Sequence, residues 1–169
     1  MPWFQRERLP SPAILLGAVC TILPDADVIA FRFGIPYEAM FGHRGFTHSL
    51  AFAALLSALL VGVSARFKVQ RFSQKVLFPY LFLCTASHGV LDAMTSGGLG
   101  VAFFAPFSSE RYFFPWRPIR VSPIALRSFF SARGLEIFQS ELLWVWLPAL
   151  VFRLVGILCQ GTSKKCERK

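Results

Sequence analysis

His43-Arg44-Gly45-Phe46-Thr47-His48-Ser49 runs straight into Leu50-Ala51-Phe52-Ala53-Ala54-Leu55-Leu56-Ser57-Ala58-Leu59-Leu60-Val61-Gly62-Val63-Ser64-Ala65. The first seven residues hold two imidazoles and a guanidinium around a glycine. From residue 49 to residue 65 no side chain is charged. A helix needs about 20 mostly apolar residues to cross the hydrocarbon core, and this run approaches that length. Ionisable side chains abutting such a run sit at a membrane boundary.

The same pattern recurs outward along the chain. Residues 76–87 are uncharged, and His88 and Asp92 are the only ionisable groups from there through residue 109. Residues 142–152 are uncharged, and after Arg153 the apolar run resumes to residue 159. An earlier run over residues 12–23 is limited by Pro24. Composition agrees: 54% of residues are hydrophobic, 16% are charged, and 19 are Phe. A soluble domain carries about a quarter charged residues. The expected fold is all-α: one polytopic integral membrane domain over residues 1–169. It has about four membrane helices, near 12–23, 48–65, 76–95 and 141–159. A long interfacial loop spans about 96–140, where Pro and aromatics without periodicity, such as Phe113-Phe114-Pro115-Trp116, suit the headgroup region.

The net charge of +9 lies in short basic blocks beside the apolar runs: Arg66, Lys68, Arg71 and Lys75, then Lys164, Lys165, Arg168 and Lys169. That arrangement reads as cytoplasmic flanks under the positive-inside bias and argues against a nucleic-acid partner. Membrane lipid is the expected surrounding. With alternating helix direction, the other ends are the end of the first helix, the start of the second and the end of the third. Arg111, Arg117, Arg120, Arg127 and Arg133 in the long loop run against this topology. Cys20, Cys84, Cys159 and Cys166 form no Cys-x-x-Cys pair, so neither a disulfide framework nor a thiolate zinc site is expected. The N-terminus shows no cleavable signal pattern.

All three histidines and all three aspartates fall at those three converging ends: Pro24-Asp25-Ala26-Asp27, the His43–Ser49 string, and Ser87-His88-Gly89-Val90-Leu91-Asp92. Ionisable groups within spanning helices are costly and usually functional. His88 and Asp92 are four apart, one helical turn on one face, and both reach one ion. A polar pair bonding to neighbouring helices is the alternative. His43 and His48 are five apart, which needs a turn at Arg44-Gly45, with Thr47 or Ser49 capping the next helix. Asp25 and Asp27 share a face if their segment is extended; capping by Asp27 is the alternative. Imidazole with carboxylate suits zinc, iron or manganese better than calcium. The expected metal set is Asp27, His43, His48, His88 and Asp92, holding a divalent ion, zinc with iron or manganese as alternatives. With open positions, such an ion lowers the pKa of water and makes a hydroxide nucleophile. The catalytic expectations are Asp25 as proton acceptor, Arg44 as an anion grip, and Glu110, with Arg111, at the substrate.

These three motifs, in this order and with Thr95 following, resemble the LexA-regulated, membrane-bound metal-dependent hydrolase family of bacteria. The likeness covers about residues 15–118, and Ser109-Glu110-Arg111-Tyr112 looks like one branch of it. The resemblance implies a bacterial inner-membrane protein of the stress response with metal-dependent hydrolase activity, on a small-molecule or lipid-linked substrate such as a phosphoester. Family members commonly carry a Thr-His pair ahead of the Pro-Asp-x-Asp motif, and here no His precedes His43. A metal or proton transporter, or a membrane protein with a structural metal, are the competing functions; the lack of an internal repeat weighs against transport.

Overall fold

The computed structural model describes residues 11–67, 73–121 and 131–166, with side chains described up to residue 157. Helices dominate: α1 (Ser11–Ile22), a 3₁₀ segment (Leu23–Phe33), a single 3₁₀ turn (Phe46–His48), α2 (Leu50–Arg66), α3 (Gln74–Ala93), α4 (Ala132–Glu141), a π segment (Leu142–Trp146) and α5 (Leu147–Cys166). Among the described residues the β content is two isolated bridges. This is an all-α membrane fold. Ser11–Phe33, Gln74–Ala93 and Ala132–Ile157 are long and apolar enough to span, and Leu50–Arg66 is a shorter apolar helix. Ile14, Leu15, Leu55, Leu59 and Leu83 all face outward with over half their surface exposed. In water each would forgo about 1.5–3 kcal/mol of burial; against acyl chains that cost vanishes.

The chain divides into two compact units. The first holds Met1–Met94 and Gly98–Pro115. In it, α1 and α2 each pack on α3. Ala13, Cys20, Leu77 and Leu81 form the centre, with Leu16, Leu56, Leu60 and Tyr80 around them. A methyl on Gly17 would collide with the Tyr80 ring, so glycine there lets α1 lie against α3, the small-residue device of membrane helix pairs. Buried Ser57 and Thr85 hydroxyls donate to carbonyls one turn back, Ala53 O at 2.7 Å and Leu81 O at 2.9 Å. This keeps both polar groups satisfied where no water reaches. Cys20 and Cys84 are free thiols.

The second unit holds Thr95–Gly97 and Trp116–Lys169. Here the sequence expectation needs correction. The interfacial loop does not run irregularly to residue 140, because helix begins at Ala132 and continues through the π segment into α5. The Ser131 hydroxyl caps that start, accepting from Gly134 N at 3.4 Å. Arg133, Glu136 and Glu141 hid the start from a search for uncharged runs, since charge does not break a helix. Lys68, Arg71, Arg127, Arg168 and Lys169, part of the charge reading above, lie outside the described residues.

Candidate functional site

Three consecutive structural choices bring the ligand-type residues together. Pro24 opens the 3₁₀ segment after α1. With about three residues per turn, i and i+2 diverge by roughly 240°, so Asp25 and Asp27 face different ways. The extended segment expected from the sequence is therefore replaced by a 3₁₀ turn, and the two carboxylates approach opposite nitrogens of the His48 ring. The turn before α2 is set by Arg44, whose φ is 60°. Ser49 then caps α2, accepting from Phe52 N at 3.1 Å. The last turns of α3 supply His88 and Asp92 one above the other.

Asp27 is buried and fully engaged. One oxygen accepts from His43 Nδ1 at 2.6 Å. The other accepts from the Thr47 hydroxyl at 2.6 Å and from Arg44 N at 3.1 Å, and it lies 3.2 Å from His48 Nδ1. A carboxylate only accepts, so the Thr47 proton goes to Asp27 and the Thr47 oxygen, 3.1 Å away, faces His48 Nδ1. In the neutral His48 ring, Nδ1 therefore carries the proton and Nε2 the lone pair.

That lone pair points at other acceptors. His48 Nε2 lies 3.2 Å from Asp92 Oδ2 and 3.6 Å from Asp25 Oδ1. His88 Nε2 lies 3.2 Å from Asp25 Oδ1 and 3.8 Å from Asp92 Oδ2. Both imidazole nitrogens are buried and make no hydrogen bond among the described residues. Two ligand groups exist on distance alone, Asp25/His48/His88/Asp92 and Asp27/His43/His48. The second is already satisfied by hydrogen bonds. The first gathers imidazole and carboxylate donor atoms on one point. Its separations of 3.2–3.8 Å bracket the edge of a tetrahedron with bonds near 2.1 Å, about 3.4 Å. Two imidazoles and two carboxylates are a donor set for zinc, iron or manganese. The residues present fit a divalent ion. Burial opposes the charge on His48, yet Asp25, Asp27 and Asp92 outweigh it and push its pKa up to about 10.

A supporting frame surrounds the cluster. The Arg44 guanidinium donates to Asp92 Oδ1 at 3.0 Å and is buried. It orients a carboxylate, in place of the open anion grip expected from sequence. Residues 98–115 fold over the helix ends: Ala102 N donates to Arg44 O at 3.0 Å, and Leu50 N to Phe103 O at 3.0 Å. From that segment Arg111 spreads over the His43 loop, donating to Tyr37 O at 2.9 Å, His43 O at 3.1 Å and Ala39 O at 3.2 Å. Its guanidinium also lies over the Tyr37 ring. A methyl on Gly89 would sit 2.8 Å from His48 O, so α3 meets the histidine turn at a glycine.

The sequence-predicted residues thus sort as follows. His48, His88 and Asp92 converge on one point, and Asp25 joins them. Asp27 and His43 stand behind His48. Arg44 holds Asp92. Glu110 does not reach the group: it is exposed and accepts from the Tyr112 hydroxyl at 2.6 Å. Arg111, expected beside Glu110 at the substrate, instead holds the frame together through the carbonyls of Tyr37, Ala39 and His43, a role that nothing in its sequence neighbourhood signals.

The sequence model of the YdjM inner membrane protein family matches residues 2–164. The inner membrane protein YbcI of Escherichia coli strain K12 is 42% identical over 152 residues, covering 89% of this chain and 84% of that protein. No solved structure matches. With its spanning helices, the chain is a multi-pass protein of the bacterial inner membrane.

Proposed function

The chain belongs to the YdjM inner membrane protein family, and we propose that it is a membrane-bound, metal-dependent hydrolase. The observation that carries this reading is the meeting of Asp25, His48, His88 and Asp92 around two buried, unbonded imidazole nitrogens. These four side chains would hold a divalent ion. Such an ion supplies Lewis acidity and lowers the pKa of water near it. Asp27 fixes the His48 tautomer, the carboxylate–histidine pairing that orients metal ligands. Arg44 fixes the rotamer of Asp92. Asp25 has the most open side chain of the four, half exposed against 16–17% for His88 and Asp92. It is the group that water and substrate reach, and it accepts the proton from attacking water. Four protein ligands at tetrahedral separations are by themselves the pattern of a structural ion; the half-exposed Asp25 leaves the group a solvent-facing side from which water can enter the coordination, and that supports the hydrolytic reading. The motif resemblance to LexA-regulated hydrolases supports the same class, with a phosphoester or lipid-linked substrate.

The test is elemental analysis of detergent-purified protein together with hydrolysis of bis(p-nitrophenyl) phosphate and a lipid diphosphate. Wild type should hold near-stoichiometric zinc, iron or manganese and turn over at least one ester. His88→Ala and Asp92→Ala should lose both. Stoichiometric metal with no turnover of either substrate would end the hydrolytic reading and leave a structural ion.

A further inference from the structure

A separate cavity of about 320 Å³ opens in the second unit, lined by Ser96, Arg120, Val121, Arg133, Glu136 and Ile137. Its walls come from two stretches of the second unit, Ser96 with Arg120 and Val121 on one side and the start of the last helical run on the other. Arg133, Glu136 and Ile137 open the span Ala132–Ile157. The pieces are stitched together there: Ser96 N donates to Ile119 O at 2.8 Å, Val121 N to Ser96 Oγ at 3.3 Å, and Arg120 N to Ser140 Oγ at 3.0 Å. Trp116 stands perpendicular to Trp144 with ring centroids 4.8 Å apart, the residue type that marks headgroup depth.

The chemistry of the cleft is cationic over an apolar floor. Two guanidinium groups face one carboxylate. Arg120 lies 3.5 Å from Glu136, and both side chains are more than half exposed, so that pair is weak and exchangeable. Ile137 is buried beneath them. Guanidinium forks match phosphate oxygens in pairs, and a net positive cleft favours a headgroup that keeps its negative charge uncompensated.

We propose that this cleft binds the phosphate-bearing headgroup of an anionic phospholipid, with Arg120 and Arg133 gripping the phosphate. The lipid sits with its glycerol against Val121 and its chains along the final span. This site is independent of the histidine–aspartate cluster.

Native mass spectrometry of the full chain, titrated with phosphatidylglycerol or with phosphatidylcholine of the same acyl chains, tests it. Wild type should prefer phosphatidylglycerol. Arg120→Gln with Arg133→Gln should weaken phosphatidylglycerol binding roughly tenfold or more and erase its preference over phosphatidylcholine. An unchanged preference in the double variant overturns the proposal. If that variant loses its helical circular dichroism, Arg133→Lys serves: it keeps the charge and loses the fork, so binding should fall partway, and wild-type binding would overturn the idea. Millimolar inorganic phosphate should not displace the lipid; displacement by free phosphate means the cleft takes the ion and not the headgroup.

Discussion

Asp27→Asn separates the ligand set drawn from geometry from the one drawn from sequence. The sequence pattern makes Asp27 a ligand, whereas the structure surrounds it with His43 Nδ1, Thr47 Oγ1, Arg44 N and His48 Nδ1. Asparagine keeps the volume and one acceptor oxygen. Its amide is a donor and must turn toward at least one of those donors, so one buried partner goes unmatched, at about 1–3 kcal/mol of stability. The His48 tautomer is also released. Loss of such an orienting carboxylate typically weakens metal affinity by about 10–100-fold, or about 1.4–2.7 kcal/mol. Asp25→Asn removes an anionic ligand itself and should cost more than Asp27→Asn. The assay is competition with a chromogenic zinc chelator at fixed pH in one detergent, beside thermal melts. The expected order of affinity is wild type, then Asp27→Asn, then Asp25→Asn. An Asp27→Asn protein stripped of metal beside an Asp25→Asn protein of wild-type affinity would refute the assignment.

Arg111→Ala should lower both the melting temperature and metal affinity, since its guanidinium serves several loop carbonyls. Glu110→Gln should change neither, because the Glu110 carboxylate is exposed and bonds the Tyr112 hydroxyl, away from the ligand group; loss of hydrolysis in Glu110→Gln would restore it to the site. Gly89→Ala should push His48 O away and reduce metal content, while Gly62→Ala, with nothing within 4 Å of the added methyl, should match wild type. The metal-free protein should also show a distinct pH profile. The folded pKa of His48, about 10, lies above its ordinary 6.5. Its stabilisation is therefore complete below about pH 6.5 and is lost as pH rises toward 10. Chelator-treated protein should lose thermal stability across that window, and metal-loaded protein, whose His48 is already neutral, should not. Identical profiles for the two forms would count against ligation by His48.

The membrane class was legible because it rests on a sum: apolar runs of spanning length, few charges and basic flanks need no knowledge of packing. The meeting of the three clusters at one level was legible too, since alternating helices return to the same face. The last helix was misplaced because its first turns carry Arg133, Glu136 and Glu141, which a hydropathy search rejects and a Ser131 cap accepts.

The sequence by itself determined which side chains gather: His48, His88, Asp92 and the Pro24-Asp25-Ala26-Asp27 turn are bound to helix ends by their position in the chain. Only the tertiary structure decided what each of them does there. Asp25 and Asp27 are interchangeable in composition, and a 3₁₀ turn in place of a strand sends one toward His88 and the other behind His48. Arg44 resembles an anion grip until its guanidinium is found on Asp92. Arg111 is an ordinary loop arginine until carbonyls distant in sequence close around it. Roles of this kind depend on which donor meets which acceptor across the fold, and a hydrogen bond is fixed by ångströms and angles that one-dimensional spacing does not carry.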